Sequence, residues 1–236
     1  MRENNRILAQ LFEYIAPLVQ PGVTTAELDR EAENFILSCG AKPAFKGYRG
    51  FPATICASIN EEVVHGFPGP RQLKEGDILS IDLGALKNGF YSDSARTFAV
   101  GQISEKAARL LRVTEESLYA GINMAVPGGR LSDIGHAVQQ VVEKAGFSVI
   151  RDFVGHGIGR QLHEEPQIPN FGRKGLGPQL KVGMVLAIEP MTAAGSWQIR
   201  ILEDQWTAVT LDRSLAAHFE HSVAITKDGP LILSAL

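Results

Sequence analysis

The sequence predicts an α+β fold of two halves related by a pseudo-twofold axis, with a mostly antiparallel, curved sheet and helices on its outer face. Three kinds of segment occur twice along the chain, in the same order: an amphipathic helix and two strands that each contain an acid. Chance is the alternative, because Pro-Gly turns and strands after glycine are common. We favour duplication because the acids of the paired strands are in register. We therefore expect one domain over residues 1-236, with repeats at about 1-100 and 101-236.

The bulk composition is that of an ordinary globular protein, with 44% hydrophobic and 21% charged residues. A net charge of -3 offers no electrostatic reason to expect nucleic acid or an anionic membrane as a partner. The two cysteines, Cys39 and Cys56, do not form a CxxC pair, which argues against a disulfide framework or a zinc finger and suits a reducing cytosol. No apolar run approaches the roughly 18 residues that a membrane-spanning helix needs. We therefore expect a cytoplasmic protein.

The first predicted element is an amphipathic helix near the N-terminus. Its apolar residues keep helical spacing: Ile7, Leu8, Leu11, Ile15, Leu18 and Val19. Charged residues are spread through the same segment, so it lacks the continuous apolar region of a signal peptide.

The second predicted element is a helix that occurs in both halves. Residues 19–41 resemble residues 125–147, with a Pro-Gly pair before each helix and a glycine after it at a constant offset. The apolar stripes match position by position: Leu28, Ala32, Phe35, Ile36 and Cys39 with Ile134, Val138, Val141, Val142 and Ala145. Thr24 and Glu27 can form a capping box for the first copy, and the closing glycines suit the C′ position.

The third predicted element is a strand that contains one acid in each half. The segments LKEGDILSIDLGA and LKVGMVLAIEPMT share their Leu, Lys and Gly and their apolar alternation. Each predicts a strand after a turn, at Gly76 or at Gly183. Asp82 falls on Glu189, which has apolar neighbours on both sides. Because glutamates are almost never buried unless they are paired or bound to a cation, Glu189 requires an explanation.

A second pair of acids, Asp93 and Glu220, begins the last repeated strand, in YSDSARTFAV and HFEHSVAIT. A hairpin turning at Asn88-Gly89 would bring Asp82 and Asp93 onto neighbouring strands. Four carboxylates packed together would repel, and some would have to take up protons. Divalent metal ions remove this conflict, because carboxylates can bridge two ions as they do in two-metal hydrolases.

A histidine is the expected nitrogen ligand for such a centre. His156, in GHGIGR, has glycines on both sides that let the backbone approach closely. Alone it would be an ordinary loop histidine, but beside four acids it is better interpreted as a ligand. His163 follows in HEEP, which is not an HExxH motif because Gln167 takes the place of the second histidine. His65 precedes a turn, and its own context favours neither a site residue nor a structural one.

The remaining histidines and Cys56 are expected to lie outside the chemistry. His136 falls on the polar side of the second repeated helix, where we expect a solvated residue. His218 and His221 flank Glu220, and alternation along a strand would turn His221 to the opposite face, so both are expected to support the site. Cys56 lies in a strand-like run and is better interpreted as a small buried apolar residue than as a nucleophile. There is no GxSxG elbow.

Taken together, these motifs resemble type I methionine aminopeptidases of the pita-bread fold over essentially the whole chain. The motifs that carry the resemblance are, in order, SINEEVVHGFP, SIDLG, YSDSA, GHGIGR, HEEP, AIEP and HFEHSVAIT. The resemblance implies removal of the N-terminal (initiator) methionine from nascent proteins and peptides with a small second residue. It also implies two divalent metal ions, and Co, Mn, Fe or Zn would all suit the ligands.

The resemblance implies a ligand role for five residues. Asp82 would bind one ion, and Asp93 and Glu220 would bridge both. His156 and Glu189 would complete the coordination of the second ion. A hydroxide that bridges the two ions would attack the carbonyl after the first residue, with Glu189 as the general base.

The resemblance also implies substrate-binding residues. His65 and His163 match two histidines that contact the scissile peptide and stabilise the tetrahedral intermediate. The methionine pocket would be formed by Tyr48, Phe51, Cys56, Leu162 and Trp206. An apolar pocket with a soft sulfur neighbour suits a thioether.

The sequence leaves two alternatives to a methionine aminopeptidase. One is an Xaa-Pro aminopeptidase or prolidase of the same fold, although those enzymes usually have an additional N-terminal domain for which we expect no room. The other is a pita-bread binding protein without catalysis, although such relatives typically lose ligands and all five ligand positions are filled here. We expect a monomer that acts on nascent polypeptide N-termini, with action at the ribosome left open.

Overall fold

The computed structural model describes the whole chain, Met1–Leu236, as four α-helices, two short 3-10 helices and fifteen strands. The α-helices are α1 (Arg2–Ile15), α2 (Thr25–Ser38), α3 (Glu105–Met124) and α4 (Leu131–Lys144), and the 3-10 helices are Ala16–Leu18 and Tyr48–Gly50. The strands of the first half are β1 (Lys42–Pro43), β2 (Ile55–Ile59), β3 (Glu62–Val64), β4 (Ile78–Lys87) and β5 (Phe90–Ala99). The strands of the second half are β6 (Ser148–Val149), β7 (Gly155–Gly157), β8 (Glu164–Ile168), β9 (Val185–Ile188), β10 (Met191–Ala193), β11 (Ile199–Ile201), β12 (Ala208–Thr210), β13 (Ala216–His218), β14 (His221–Thr226) and β15 (Gly229–Ile232).

The N-terminal helices form where the spacing and capping residues predict them. The apolar face of α1 is buried, whereas Leu18 falls in the 3-10 turn after the helix and is only partly buried. Thr24 caps α2: its hydroxyl accepts a hydrogen bond from the Glu27 N–H, and the Glu27 carboxylate accepts one from the Thr24 N–H. None of the four α-helices is both long and apolar enough to cross a membrane.

The two repeated helices, α2 and α4, bury equivalent stripes. The fully buried residues are Leu28, Ala32 and Ile36 in α2 and Ile134, Val138 and Val142 in α4. Both helices end before a glycine with positive φ, 66° at Gly40 and 78° at Gly146, a conformation that favours glycine. The helices α1 and α2 cover the core of the first half, and α3 and α4 cover that of the second.

Every strand pair is antiparallel, and the predicted fold class is confirmed. The longest ladder joins β4 and β5 along their whole length, turning at Asn88 and Gly89 with φ of 53° and 74°. The strands do not form one continuous sheet but four separate sheets. In the first sheet the order is β1-β4-β2, with β5 also paired to β4. The orders in the other three sheets are β13-β10-β6, β11-β12-β3 and β15-β14-β9-β7-β8. One division falls at Pro190, which lacks an N–H and separates β9 from β10.

Side-chain hydroxyls join the two halves where β5 meets the start of β14. The Ser94 hydroxyl donates to the carbonyl of Glu220 (2.8 Å), and the Ser222 hydroxyl donates to the carbonyl of Asp93 (2.8 Å). The Glu220 N–H donates to the carbonyl of Ala95 (2.9 Å). These bonds fix Asp93 of the first half beside Glu220 of the second.

Candidate active site and metal centre

Two antiparallel pairs of strands position the four acids. On the β4–β5 ladder, Asp82 pairs with Ala95 and Asp93 pairs with Gly84, so the two acids are diagonal neighbours. On the β9–β14 ladder, the last pair is Ile188 with His221, and the chain leaves this pair at Glu189 and Glu220. All four acids border one cavity of about 160 Å³.

His156 reaches the acids from β7. Its Nε2 lies 3.7 Å from Asp93 Oδ2 and 3.5 Å from Glu189 Oε1. Its Nδ1 lies 2.9 Å from the carbonyl oxygen of Gly157, to which Nδ1–H can donate, and this tautomer directs the Nε2 lone pair at the acids. A Cβ at Gly155 would overlap the carbonyl oxygen of Ala187, so the glycine is required for the close approach of β7 to β9.

The electrostatics of the cluster favour the binding of a cation. Burial raises the pKa of Asp82 to about 7, and burial raises the pKa values of Glu189, Asp93 and Glu220 well above their usual range, with neighbouring carboxylates adding to the rise for the last two. One oxygen each of Asp82, Asp93 and Glu220 is buried without a hydrogen-bond partner. Ligand atoms of Asp93, His156 and Glu220 all lie within 4.8 Å of one another. Oxygen and imidazole donors in this arrangement fit divalent metal ions.

Metal binding to this cluster is expected to strengthen as the pH rises and to release protons. A metal ion requires deprotonated carboxylates, so protons compete with it, and the competition weakens as the pH rises through the raised pKa of about 7 at Asp82. Calorimetric titration of metal-free protein with Mn²⁺ from about pH 6 to about pH 8, in buffers with different ionisation enthalpies, measures both effects. Asp82→Asn should release fewer protons. An affinity that does not change over this pH range would contradict the prediction.

Two further histidines face the same cavity. His163 lies at the exposed mouth of the cavity. The Nδ1 atom of His163 is 2.9 Å from the Tyr48 hydroxyl, and the His163 ring centroid is 4.3 Å from the ring centroid of His156. His65 has a φ of 62° and packs edge-on against Trp206, with 6.1 Å between ring centroids. Burial lowers the pKa of His65 to about 4. Partial desolvation of the ring, together with the nearby His156 and Arg49, lowers the pKa of His163 to about 4, so both imidazoles are neutral near pH 7.

The apolar end of the cavity contains the residues predicted to form a substrate pocket. The lining consists of Phe45, Tyr48, Arg49, Phe51, Cys56, His65, Asp82, Asp93, His156, Leu162, His163, Glu189, Trp206 and Glu220. All the predicted site residues are in this set, whereas Phe45 and Arg49 were not predicted. No motif identifies these two residues, and their closeness to Tyr48 in the chain is the only signal. Burial raises the pKa of the Cys56 thiol, which favours a packing role over a nucleophilic one.

The histidines outside the cavity differ from one another in their surroundings. His221 turns away from Glu220, as strand alternation predicts, and its Nδ1 lies 2.8 Å from the Ser234 hydroxyl. His136 was expected to be solvated, but it is half-buried and its Nδ1 lies 3.0 Å from the carbonyl oxygen of Gly172. The loop after β8 folds over α4 and provides this partner, which helix periodicity does not predict.

Four acids and an imidazole beside an apolar pocket, at the junction of two antiparallel halves, define a metal-dependent hydrolase. The comparisons with known proteins agree. The chain belongs to metallopeptidase family M24, whose model matches residues 1–227, and within that family to the methionine aminopeptidases.

The similar proteins cover nearly the whole chain. The methionine aminopeptidase of Clostridium perfringens is 56% identical over 236 residues, which are 100% of this chain and 95% of the relative. Methionine aminopeptidase 1 of Bacillus subtilis is 56% identical over 234 residues, 99% of this chain and 94% of the relative. The crystal structure of the methionine aminopeptidase from Thermotoga maritima has a TM-score of 0.99 at 46% identity and covers 100% of this chain and 95% of that one.

A more distant likeness bears on the Xaa-Pro alternative. The prolidase from Pyrococcus furiosus has a TM-score of 0.79 at 24% identity, and the match covers 100% of this chain but only 62% of the prolidase. At this identity the likeness shows the fold alone. The resemblance to methionine aminopeptidases is therefore confirmed, and the Xaa-Pro alternative is not favoured.

Proposed function

We propose that this chain is a single catalytic domain, with repeats at about 1-100 and 101-236, that removes the initiator methionine from peptides and nascent proteins whose second residue is small. The observation that carries the proposal is the meeting of four carboxylates and His156 in one cavity with an apolar, sulfur-containing pocket. The identity to methionine aminopeptidases over nearly the full chain supports it.

Five residues would hold two divalent metal ions: Asp82, Asp93, His156, Glu189 and Glu220. Asp93 and Glu220 lie at the junction of the halves, so each half would contribute a carboxylate there. When bound, the ions would lower the pKa of a water molecule and polarise the scissile carbonyl. Mn, Fe, Co and Zn all suit this donor set, and availability in the cell would decide among them.

Glu189 is the residue that would accept the proton of the attacking water. Its carboxylate borders the cavity, and the burial that raises its pKa makes it a better proton acceptor than an exposed glutamate. Asn170 holds the backbone at this position, because its Nδ2 donates to the Glu189 carbonyl oxygen (3.0 Å). Pro190 ends the strand immediately afterwards, which leaves the carboxylate at the edge of the cavity.

His163 and His65 would donate hydrogen bonds to the peptide at the scissile bond. With the Tyr48 hydroxyl donating to His163 Nδ1, the proton of this neutral imidazole lies on Nε2, which is then a donor for the developing oxyanion. A neutral ring is also compatible with nearby cations, which a protonated one would repel. His65 lies on the Trp206 side of the cavity, where it would meet the peptide from the other direction.

The apolar residues would bind the methionine side chain. Phe51 and Trp206 pack edge to face, with 5.2 Å between ring centroids, and Cys56 and Leu162 are buried in the same cluster. A thioether is well matched to aromatic edges and a thiol. The free α-amino group of the substrate would lie toward Asp82, which would restrict cleavage to the first residue.

The proposal is tested by measuring the hydrolysis of two peptides, Met-Ala-Ser and Ala-Pro. The protein is first stripped of metal and then reloaded anaerobically with Mn, Fe, Co or Zn in turn. Methionine should be released from Met-Ala-Ser by the loaded protein and not by the metal-free protein. Ala-Pro should be a poor substrate with every metal. Cleavage of the proline peptide alone would refute the proposal and favour the Xaa-Pro alternative.

We further propose that the protein acts as a cytoplasmic monomer on nascent polypeptide N-termini. Light scattering measures the oligomeric state, and a dimer would contradict this part of the proposal. Co-sedimentation with translating and idle ribosomes decides whether the encounter takes place on the ribosome.

A further inference from the structure

A buried imidazole beside the centre, His218, is not used by the proposed function. It is the last residue of β13 and is only 1% exposed. Its Nε2 is buried without a hydrogen-bond partner. Buried polar atoms in proteins nearly always have a partner, so an unpaired ring nitrogen next to a reaction centre calls for a functional explanation.

The backbone of His218 is held firmly, which fixes the direction of its ring. The His218 N–H donates to the Thr97 hydroxyl oxygen (2.9 Å), and that hydroxyl donates to the His218 carbonyl oxygen (2.8 Å). Ser80 lies 2.8 Å from the same hydroxyl and can donate to it. On its other side, His218 pairs with Met191 of β10. The ring is therefore anchored to β5 and β10 and not to a mobile loop.

The nearest acceptor for this nitrogen is Glu189. Glu189 Oε2 lies 3.6 Å from His218 Nε2, and Glu189 Oε1 lies 3.5 Å from His156 Nε2. The carboxylate thus lies between two imidazoles, one for each oxygen. Both distances exceed a normal hydrogen bond, but the last torsion of a glutamate is soft, so a small rotation brings Oε2 within reach of His218.

We propose that His218 is a positioning residue whose Nε2–H donates a hydrogen bond to Glu189 Oε2, so that Oε1 stays directed at the metal centre. His218 is not among the five residues assigned to hold the ions, and its Nε2 faces the Glu189 oxygen that points away from His156, so we assign it to orienting a ligand. The inference rests on the proposed function, because it assigns His218 a role in holding the general base of that reaction. Without this bond, the carboxylate loses its defined orientation, which weakens both metal retention and proton transfer.

The test compares His218→Leu with His218→Gln. Leucine fills the space without a donor, and glutamine provides an amide N–H that can reach the same oxygen. With a Met-Ala-Ser peptide, His218→Leu should lower kcat about 10- to 100-fold, the usual cost of losing a group that orients a metal ligand, with little change in KM. Calorimetry should show the parental number of bound metal equivalents with weaker affinity, and the visible spectrum of the Co(II)-loaded protein should shift. His218→Gln should recover most of each property.

His221→Leu is the matched control, because His221 is a half-buried imidazole on the other side of Glu220 that faces Ser234. It should change the melting temperature but leave the Co(II) spectrum as it is. If His218→Leu does not fold, His218→Asn, whose shorter amide cannot reach Oε2, should show the same losses.

Two results would overturn the inference. Parental kcat and an unchanged Co(II) spectrum in His218→Leu would show that the ring only fills space, and loss of a whole metal equivalent would show that His218 is itself a ligand. If the loaded parent protein released no methionine, the proposed function would fail, but metal affinity and the Co(II) spectrum would still test the bond to Glu189.

Discussion

Glu189→Gln is expected to lower kcat for methionine release about 10²- to 10⁴-fold, the range for loss of a general acid or base, in a protein that still folds. Glutamine keeps the shape of the side chain but cannot accept the proton of the attacking water and is a weaker ligand. The fold should survive because the neutral amide is easier to bury than a carboxylate whose pKa burial has raised. Steady-state kinetics and thermal unfolding of the metal-loaded variant measure the two effects.

Glu203→Gln is the matched control, because Glu203 is exposed and does not border the cavity. It should leave kcat and metal content at parental values. Near-normal turnover in Glu189→Gln would refute the assignment of Glu189 as the base, and a variant that unfolds would show that its carboxylate is needed for the fold.

His156→Ala is expected to remove most of the affinity for one metal ion and to lower kcat/KM by more than about 100-fold, the upper end for groups that only support a ligand. His156 is the imidazole whose Nε2 faces both Asp93 and Glu189, and it is the only nitrogen donor among the five proposed ligands. Metal stoichiometry by elemental analysis and activity after reloading measure the loss.

His136→Ala provides the comparison, since it removes an imidazole that lies on α4 outside the cavity. Its metal content should equal that of the parent. If methionine release survives in His156→Ala at the parental rate, the two-metal assignment is wrong.

The alignment of the two halves explains why so much of the centre could be predicted from sequence. In the aligned sequence segments Asp82 falls on Glu189, so the proposed repeat by itself predicts that the two acids lie close together. The β4–β5 hairpin then follows from its Asn-Gly turn, which brings Asp93 beside Asp82. Periodicity and turn residues are local signals, and here the local signals agree with the fold.

The features that sequence did not predict depend on contacts between distant segments. Helix α3 is an exception: it was not predicted, although its Ser104 N-cap and its helical apolar spacing are local signals. Phe45 and Arg49 reach the cavity only because the turn around Tyr48 folds over it. The direction of the His218 ring depends on a break in strand pairing between β13 and β14, and no alternation rule applies across such a break.

The hydroxyl bonds that join β5 to β14 have a consequence for how the protein matures. They link Asp93 to Ser222 across 129 positions of the chain, and Ser94 to Glu220 across 126. Contacts between such distant positions form late, because the entropy of closing a long loop must be overcome first. The last proposed ligand, Glu220, leaves the ribosome only when nearly the whole chain has been made. We therefore expect metal capture to follow the joining of the two halves, and a truncated chain to lack the proposed metal centre.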